Sequence, residues 1–80
     1  MLKTTPYFTN KVLIKRPYIR MEWCENIIRN PEKRETEENG RIRHCGFIEE
    51  LNKYIPVVTL ADGETIHNAF PDRRYKRIQQ

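Results

Sequence analysis

Two tight turns in the second half of the chain constrain its fold more than any other feature. Asn39-Gly40 follows a short polar segment, and Asp62-Gly63 separates an apolar run from the last strand-like stretch. Asn-Gly is the strongest short-range hairpin signal, because two-residue hairpin loops need a left-handed backbone that these residues tolerate. The second half of the chain is therefore predicted to form antiparallel strands. They are expected over residues 33–37, 41–48, 54–60 and 65–70.

The first half is predicted to add one strand and one helix. Residues 11–15 form a short run rich in β-branched side chains that ends at Arg16-Pro17, which predicts a first strand. In residues 19–30 apolar side chains recur at helical spacing on one face, and Pro31 ends this helix. The apolar positions are Met21, Cys24, Ile27 and Ile28. The predicted fold class is α+β, with one helix packed on a four- to five-stranded antiparallel sheet in the order β-α-β-β-β-β.

Composition favours a single small cytoplasmic domain over residues 1–80, with a short N-terminal extension and a basic C-terminal tail. A hydrophobic content of 38% and a charged content of 32% are typical of a globular protein with one modest core. No apolar run has the length of a membrane span or a signal peptide, so neither is expected. Cys24 and Cys45 have no CxxC partner and no histidine at metal-ligand spacing, so neither a metal nor another cofactor is expected.

Charge is distributed unevenly along the chain. Residues 1–20 hold five basic and no acidic side chains, and residues 65–80 hold four basic side chains and one acidic. Residues 21–40, by contrast, hold three basic and six acidic side chains. If the two ends meet in space, they form one basic face with an acidic face behind it. A basic face predicts binding to nucleic acid or to an acidic partner, and ordinary solvated charge is the alternative.

Turn register predicts which sheet face His67 occupies. If Asp62-Gly63 is a two-residue loop, the numbers of opposed residues sum to 125 and His67 lies opposite Val58. This register places His67 on the face away from the helix, where a ligand can bind. It also predicts the pairs beneath the helix, which are Thr59–Ile66, Val57–Asn68 and Ile55–Phe70.

The face of His44 depends on the length of the loop near residues 50–53. A three-residue loop, residues 50–52, would set His44 opposite Val58 and in one row with His67. A loop of two or four residues would turn His44 to the helix side. The sequence leaves both arrangements open.

The last sixteen residues combine a histidine with a cationic tail. RNA can be cleaved without a metal when its 2′-hydroxyl attacks the adjacent phosphate. Histidine suits the proton transfers and arginine suits the phosphate oxygens. The candidate catalytic residues are His67, Arg73, Arg74 and Tyr75, and the candidate nucleic-acid-binding residues are Arg41, Arg43, His44, Lys76 and Arg77. The structural alternatives are an exposed histidine, arginines paired with glutamates, and a tyrosine that anchors the tail.

Several of these features together resemble a known family. They are an early strand and helix ending in Asn30-Pro31, the Asn39-Gly40 hairpin, the apolar strand at residues 57–60 and the closing segment at residues 66–74. The pattern resembles the small toxins of type II toxin–antitoxin systems, the RelE/ParE-like superfamily and its shorter BrnT-like relatives. The resemblance covers most of residues 10–77. The family commonly opens with two helices, whereas this sequence predicts one.

The resemblance implies a helix or two against an antiparallel sheet and metal-independent cleavage of messenger RNA. The implied site uses basic residues with a histidine or tyrosine near the C-terminus, the region of His67, Arg73, Arg74 and Tyr75. The implied partners are RNA, including messenger RNA on the ribosome, and an antitoxin protein. The leading hypothesis is thus an endoribonuclease toxin. The alternatives are a non-catalytic nucleic-acid-binding module and a protein-interaction domain that docks an acidic partner or forms a homodimer.

Overall fold

The computed structural model describes residues 3–72 and shows an α+β fold with a four-stranded antiparallel sheet. The first helix contains a π-helical segment, Phe8–Val12, followed by α1, Leu13–Lys15, and the second helix, α2, spans Met21–Arg29. The strands are β1 (Lys33–Thr36), β2 (Ile42–Ile48), β3 (Lys53–Thr59) and β4 (Ile66–Ala69), and they lie in the order β1-β2-β3-β4. No helix in this part of the chain is long and apolar enough to cross a bilayer.

The predicted first strand at residues 11–15 is wrong, because this segment is helical. Thr5 caps the helix, since its Oγ1 accepts a hydrogen bond from the Phe8 N–H at 3.2 Å. Pro6 follows in helical geometry at a position where a missing N–H costs nothing. Phe8 and Val12, four residues apart, are both buried on the side of the helix that faces the core. The element order is therefore α-α-β-β-β-β.

The N-terminal residues pair with the outer edge of β4. Thr4 forms an isolated parallel bridge with Ile66. The Ile66 N–H donates to the Lys3 carbonyl oxygen at 2.8 Å, and the Thr5 N–H donates to the Ile66 carbonyl oxygen at 3.0 Å. The first residue of β4 is therefore hydrogen-bonded on its outer edge, although β4 is the last strand of the sheet.

The predicted apolar face of α2 is confirmed, and it packs on β2 and β3. Cys24 and Ile27 are buried, and Met21 and Ile28 are partly buried against the core. The remaining buried core residues come from the first helix, the connection to α2 and the sheet. They are Phe8, Val12, Ile19, Ile48, Ile55, Val57, Ile66 and Ala69.

Gly46 allows α2 to lie directly on β2. A Cβ atom at this position would be 2.7 Å from Ile27 Cγ1, closer than real Cβ atoms approach other atoms, and 3.2 Å from Ile27 Cγ2, which is a tight contact. We expect Gly46→Ala to lower the free energy of unfolding by about 1–3 kcal/mol, the usual cost of overpacking a core. Urea denaturation measures this loss. Because the nearest atoms all belong to Ile27, the loss should shrink in an Ile27→Ala background, and strictly additive effects would contradict the steric explanation.

The predicted pairing of β3 with β4 is confirmed for Thr59–Ile66 and is wrong from His67 onward. The observed pairs are Thr59–Ile66, Val58–Asn68 and Val57–Ala69. His67 has no opposed residue and is the extra residue of a β-bulge, which shifts every later residue of β4 by one position. The predicted pairs Val58–His67, Val57–Asn68 and Ile55–Phe70 are therefore wrong. Ala69 takes the helix-side position, and Asn68 lies opposite Val58, whose side chain points to the helix-free face.

The loop between β2 and β3 settles the face of His44. Ile48 pairs with Lys53, so the loop has four residues, 49–52, and its last residue, Asn52, has a φ of 55°. His44 pairs with Val57, which belongs to the core under the helices. His44 therefore lies on the helix side, which is one of the two arrangements that the sequence left open.

Candidate nucleic-acid interface

A groove of about 260 Å³ lies between the first helix and the end of β4. We call it the basic groove. The described residues that line it include three cations and no carboxylate; they are Tyr7, Lys11, Val12, Lys15, Arg16, Asn68 and Phe70. Among the ion pairs of residues 3–72, none involves these three cations. The groove therefore presents uncompensated positive charge beside two aromatic rings.

Helical spacing brings the polar residues of the groove together. Tyr7, Lys11 and Lys15 follow one another at intervals of four residues, so they lie along one side of the first helix. Tyr7 is 49% exposed, and both lysines are exposed. Phe8 and Val12 are each one position away and face the core. Because Phe8 and Val12 pack into the core, the side of the helix that carries Tyr7, Lys11 and Lys15 is turned outward and lines the groove.

His67 does not line the basic groove itself but lies against Tyr7, one of its lining residues. The two rings are stacked, with centroids 4.9 Å apart and an interplanar angle of 25°. His67 Nδ1 is 3.0 Å from Thr5 Oγ1, the same oxygen that caps the first helix. Within the described residues, Nε2 of this half-buried ring makes no hydrogen bond. The second ring nitrogen is thus left for a ligand.

The surroundings of His67 favour its neutral form. Burial lowers the pKa of the ring, and the positive charge of Arg41 lowers it further. A neutral ring has one nitrogen that carries a proton and one that accepts a proton. When Nδ1 donates its proton to Thr5 Oγ1, Nε2 carries the lone pair. His67 in this tautomer can act as a general base.

Two of the arginines predicted to bind nucleic acid lie near this site. Arg41 is close enough to His67 to lower the pKa of the ring. Arg43 Nε is 3.5 Å from a carboxylate oxygen of Glu37, and its guanidinium lies 5.6 Å from the centre of the Phe70 ring. Because Phe70 also lines the basic groove, Arg43 adjoins the groove from the sheet. Arg73, Arg74, Tyr75, Lys76 and Arg77 lie outside the described residues.

His44, expected among the nucleic-acid-binding residues, is instead enclosed by the fold. Its side chain is 1% exposed, and its Nε2 is 3.0 Å from Thr59 Oγ1. Its Nδ1 is buried without a hydrogen-bond partner among residues 3–72. A ring in this position offers no surface to a nucleic acid, so His44 is left out of the interface.

The buried ring of His44 makes the fold sensitive to acid. Burial, and then the positive charge of Arg34, lower the pKa of His44 from its ordinary value of 6.5. The unfolded chain then binds a proton at His44 more tightly than the folded chain does. The neutral, buried ring therefore contributes its full share to the free energy of unfolding above about pH 6.5. This share is lost as the pH falls through the pKa of His44 in the folded state. We expect urea denaturation between about pH 8 and about pH 5 to show this loss.

The control for His44 is His44→Gln, whose amide can replace Nε2 at Thr59 but cannot be protonated. This variant should lose most of the acid-dependent part of the free energy of unfolding. His67→Asn should retain the part that belongs to His44, although it removes the contribution of the second histidine. An unchanged pH dependence in His44→Gln would contradict the assignment.

The residues that sequence reasoning missed belong mainly to the first helix. Tyr7, Lys11, Lys15 and Arg16 were not assigned a role, because residues 11–15 were interpreted as a strand. The available signal was the Thr5-Pro6 pair, a helix cap followed by proline at the first helical position. With that start, the four-residue spacing of the polar side chains becomes visible.

The arrangement can hold a phosphate backbone and move a proton. Among the described residues, no group of three or more His, Cys, Asp or Glu side chains is placed to hold a metal ion. Comparison of the chain with known proteins found no matching family model, no similar curated protein and no similar solved structure.

Proposed function

We propose that this protein binds single-stranded RNA in the basic groove and cleaves it without a metal ion, as toxins of the RelE/ParE-like kind do. The observation that carries the proposal is the stacking of His67 on Tyr7, which lines a groove with three cations that form no ion pair among residues 3–72. The alpha-plus-beta fold with two helices agrees with the resemblance in outline. The family assignment itself remains part of the proposal.

The groove suits a single strand better than a duplex. Lys11, Lys15 and Arg16 supply positive charge for consecutive phosphates, and Tyr7 and Phe70 supply ring faces on which unstacked bases can stack. Such a combination of a charged track with aromatic platforms is typical of proteins that bind single strands. Asn68 adds an amide that can hydrogen-bond to a base or sugar.

The chemistry uses the 2′-hydroxyl of the RNA as its own nucleophile. His67 Nε2 accepts the proton of the 2′-hydroxyl while the 2′-oxygen forms a bond to phosphorus. The bond between phosphorus and the 5′-oxygen then breaks, and this oxygen takes a proton from the protonated ring or from water. Lysine and arginine stabilise the negative charge that develops on the phosphate oxygens. The products are a 2′,3′-cyclic phosphate and a 5′-hydroxyl.

The proposal is tested by incubating the purified protein with single-stranded RNA in EDTA. We expect cleavage with 2′,3′-cyclic phosphate ends, and we expect DNA of the same sequence to bind without being cut, because it lacks the 2′-hydroxyl. Cleavage that requires added metal, or products with a 5′-phosphate, would contradict this mechanism. RNA that stays intact would rule out the enzyme activity.

A non-catalytic nucleic-acid-binding module is the second candidate. The basic groove itself favours it, because phosphate binding needs the cations and not a proton acceptor. In that case RNA affinity should fall steeply with salt while the RNA remains whole in every metal-free assay. Binding that is insensitive to salt would exclude both candidates.

Further parts of the proposal rest on the resemblance. They are action on messenger RNA at the ribosome, a cytoplasmic location, and an antitoxin protein that neutralises the toxin. An antitoxin that blocks the proposed site must cover the basic groove or hold His67. Co-expression with the product of a short adjacent reading frame tests this part, since it should suppress RNA cleavage by the protein.

A further inference from the structure

A second groove, of about 390 Å³, opens between α2 and the end of β2. We call it the acidic groove. Three carboxylates line it, those of Glu32, Glu49 and Glu50, and none of the lining residues within positions 3–72 is basic. Its apolar walls include the side chains of Trp23 and Phe47, both of which are only partly buried. The groove therefore combines a negative rim with aromatic surface.

Part of this groove is held in place by contacts outside it. The Tyr54 hydroxyl donates to a carboxylate oxygen of Glu32 at 2.8 Å. The Tyr54 ring also packs edge-on against Phe47, with centroids 5.2 Å apart. One buried tyrosine thus positions both an acidic and an aromatic element of the groove. A preorganised surface of this kind loses less conformational entropy when a partner binds.

The end of α2 adds to the negative potential. Asn26 and Asn30 line the groove, and Asn30 is the C-terminal cap of α2. The last carbonyl groups of a helix carry partial negative charge, which favours cations nearby. Glu49 and Glu50 are exposed and form none of the ion pairs found among residues 3–72. In that part of the chain, no ion pair neutralises these two carboxylates.

We propose that the acidic groove docks a cationic peptide segment of a partner protein. An apolar or aromatic side chain of the segment would lie against Trp23 and Phe47, and flanking lysines or arginines would face Glu32, Glu49 and Glu50. Nucleic acid is excluded by like charge, since its phosphates would meet three carboxylates. This proposal is independent of the proposed function, because it uses none of the residues of the basic groove.

A second copy of the same chain is a poorer occupant than a partner protein. It would have to place its basic groove in the acidic groove of its neighbour, which is a contact between two different surfaces. Contacts of this type either close into rings or continue as filaments. A short cationic segment of another protein satisfies the same charge complementarity without such growth.

The test is selection from a displayed library of random peptides of about 12 residues, the scale of short groove-binding segments. We expect enriched peptides to include a class that carries Lys or Arg around an aromatic or aliphatic residue. The affinity of one such labelled peptide is then measured by fluorescence anisotropy for the wild type and for two double variants. The first variant is Glu49→Lys, Glu50→Lys. The matched control is Glu38→Lys, Glu64→Lys, which changes two exposed turn glutamates outside the groove.

Both double variants change the net charge equally. A difference between them therefore measures the effect of Glu49 and Glu50 in the groove and not the effect of net charge. We expect the groove variant to weaken peptide binding at least about tenfold, the change that corresponds to about 1.4 kcal/mol, and the control to weaken it less than about twofold. Absence of a basic peptide class would overturn the proposal. Equal weakening in the two variants would overturn it as well, and so would self-association of the wild type that the groove variant abolishes.

Discussion

Replacement of His67 by asparagine is expected to slow metal-free RNA cleavage by about 10²–10⁴-fold, the usual contribution of a general acid–base group. An asparagine amide can take the place of Nδ1 at Thr5 Oγ1, so the hydrogen bond between β4 and the first helix can persist. It has no group at the position of Nε2, so the proton acceptor is lost. RNA affinity should stay within about threefold, because the three cations of the basic groove are untouched.

The rate is measured under single-turnover conditions in EDTA, with binding measured separately on uncleavable DNA. The pH dependence supplies a second readout. Because burial and Arg41 lower the pKa of His67 below 6.5, the wild-type rate should rise with pH through that lowered value and then level off. His67→Asn should show no such rise. A variant that cleaves at nearly the wild-type rate would exclude His67 as the proton acceptor.

Removal of the three cations of the basic groove is expected to have the second-largest effect. In the variant Lys11→Gln, Lys15→Gln, Arg16→Gln, affinity for single-stranded RNA should fall by about 100-fold at low salt, because each contact with a phosphate releases a counterion. The slope of log affinity against log salt should fall by about 2 units, which is about 0.7 for each lost contact. The two lysines are exposed, and no ion pair in the described part of the chain is lost.

The matched control removes three exposed cations elsewhere, with Arg29→Gln, Lys33→Gln and Lys53→Gln. Both triple variants change the net charge equally. If the general charge of the protein attracts RNA, the two variants will lose affinity and salt dependence to the same extent, and the basic groove will have no special role. A loss confined to the groove variant is the expected result.

Most of the second half of the fold could be predicted from sequence. The turns at Asn39-Gly40 and Asp62-Gly63 and the proline after α2 act locally, so their effects do not depend on the rest of the chain. The face of His44 was reduced to two alternatives, and only the length of one loop was needed to decide between them. Loop length depends on how Ile48 and Lys53 meet across the sheet, which a local pattern does not specify.

The first helix and the end of β4 could not be predicted in the same way. A run of five residues with β-branched side chains is compatible with a strand or with the buried side of a helix. Its conformation was decided by burial of Phe8 and Val12 against a core that forms from distant residues. The bulge at His67 likewise accompanies contacts with Thr5 and Tyr7, more than fifty positions away in the chain.

The wrong predictions for the first helix and for the end of β4 affected the candidate site more than the fold. The sequence proposed His67 from its chemistry together with the cations of the tail, which lie outside the described residues, but it gave no role to the cations of the first helix. Tyr7, which shares the groove-lining side of that helix with the two lysines, contacts His67 in the fold in which the N-terminal residues pair with β4. When a candidate site is formed by segments that are far apart in the chain, the sequence can indicate each group of residues. It does not indicate that the fold brings these groups together.

The pairing of Lys3, Thr4 and Thr5 with β4 bears on how the gene for this protein should be read. A chain that began translation at a codon after Thr5 would keep every strand of the sheet and all of α2. It would nevertheless lose the partner along the edge of β4, the cap of the first helix and the hydroxyl that holds the histidine ring. Residues 3–5 thus join three features of the fold, the outer edge of β4, the start of the first helix and the orientation of the His67 ring.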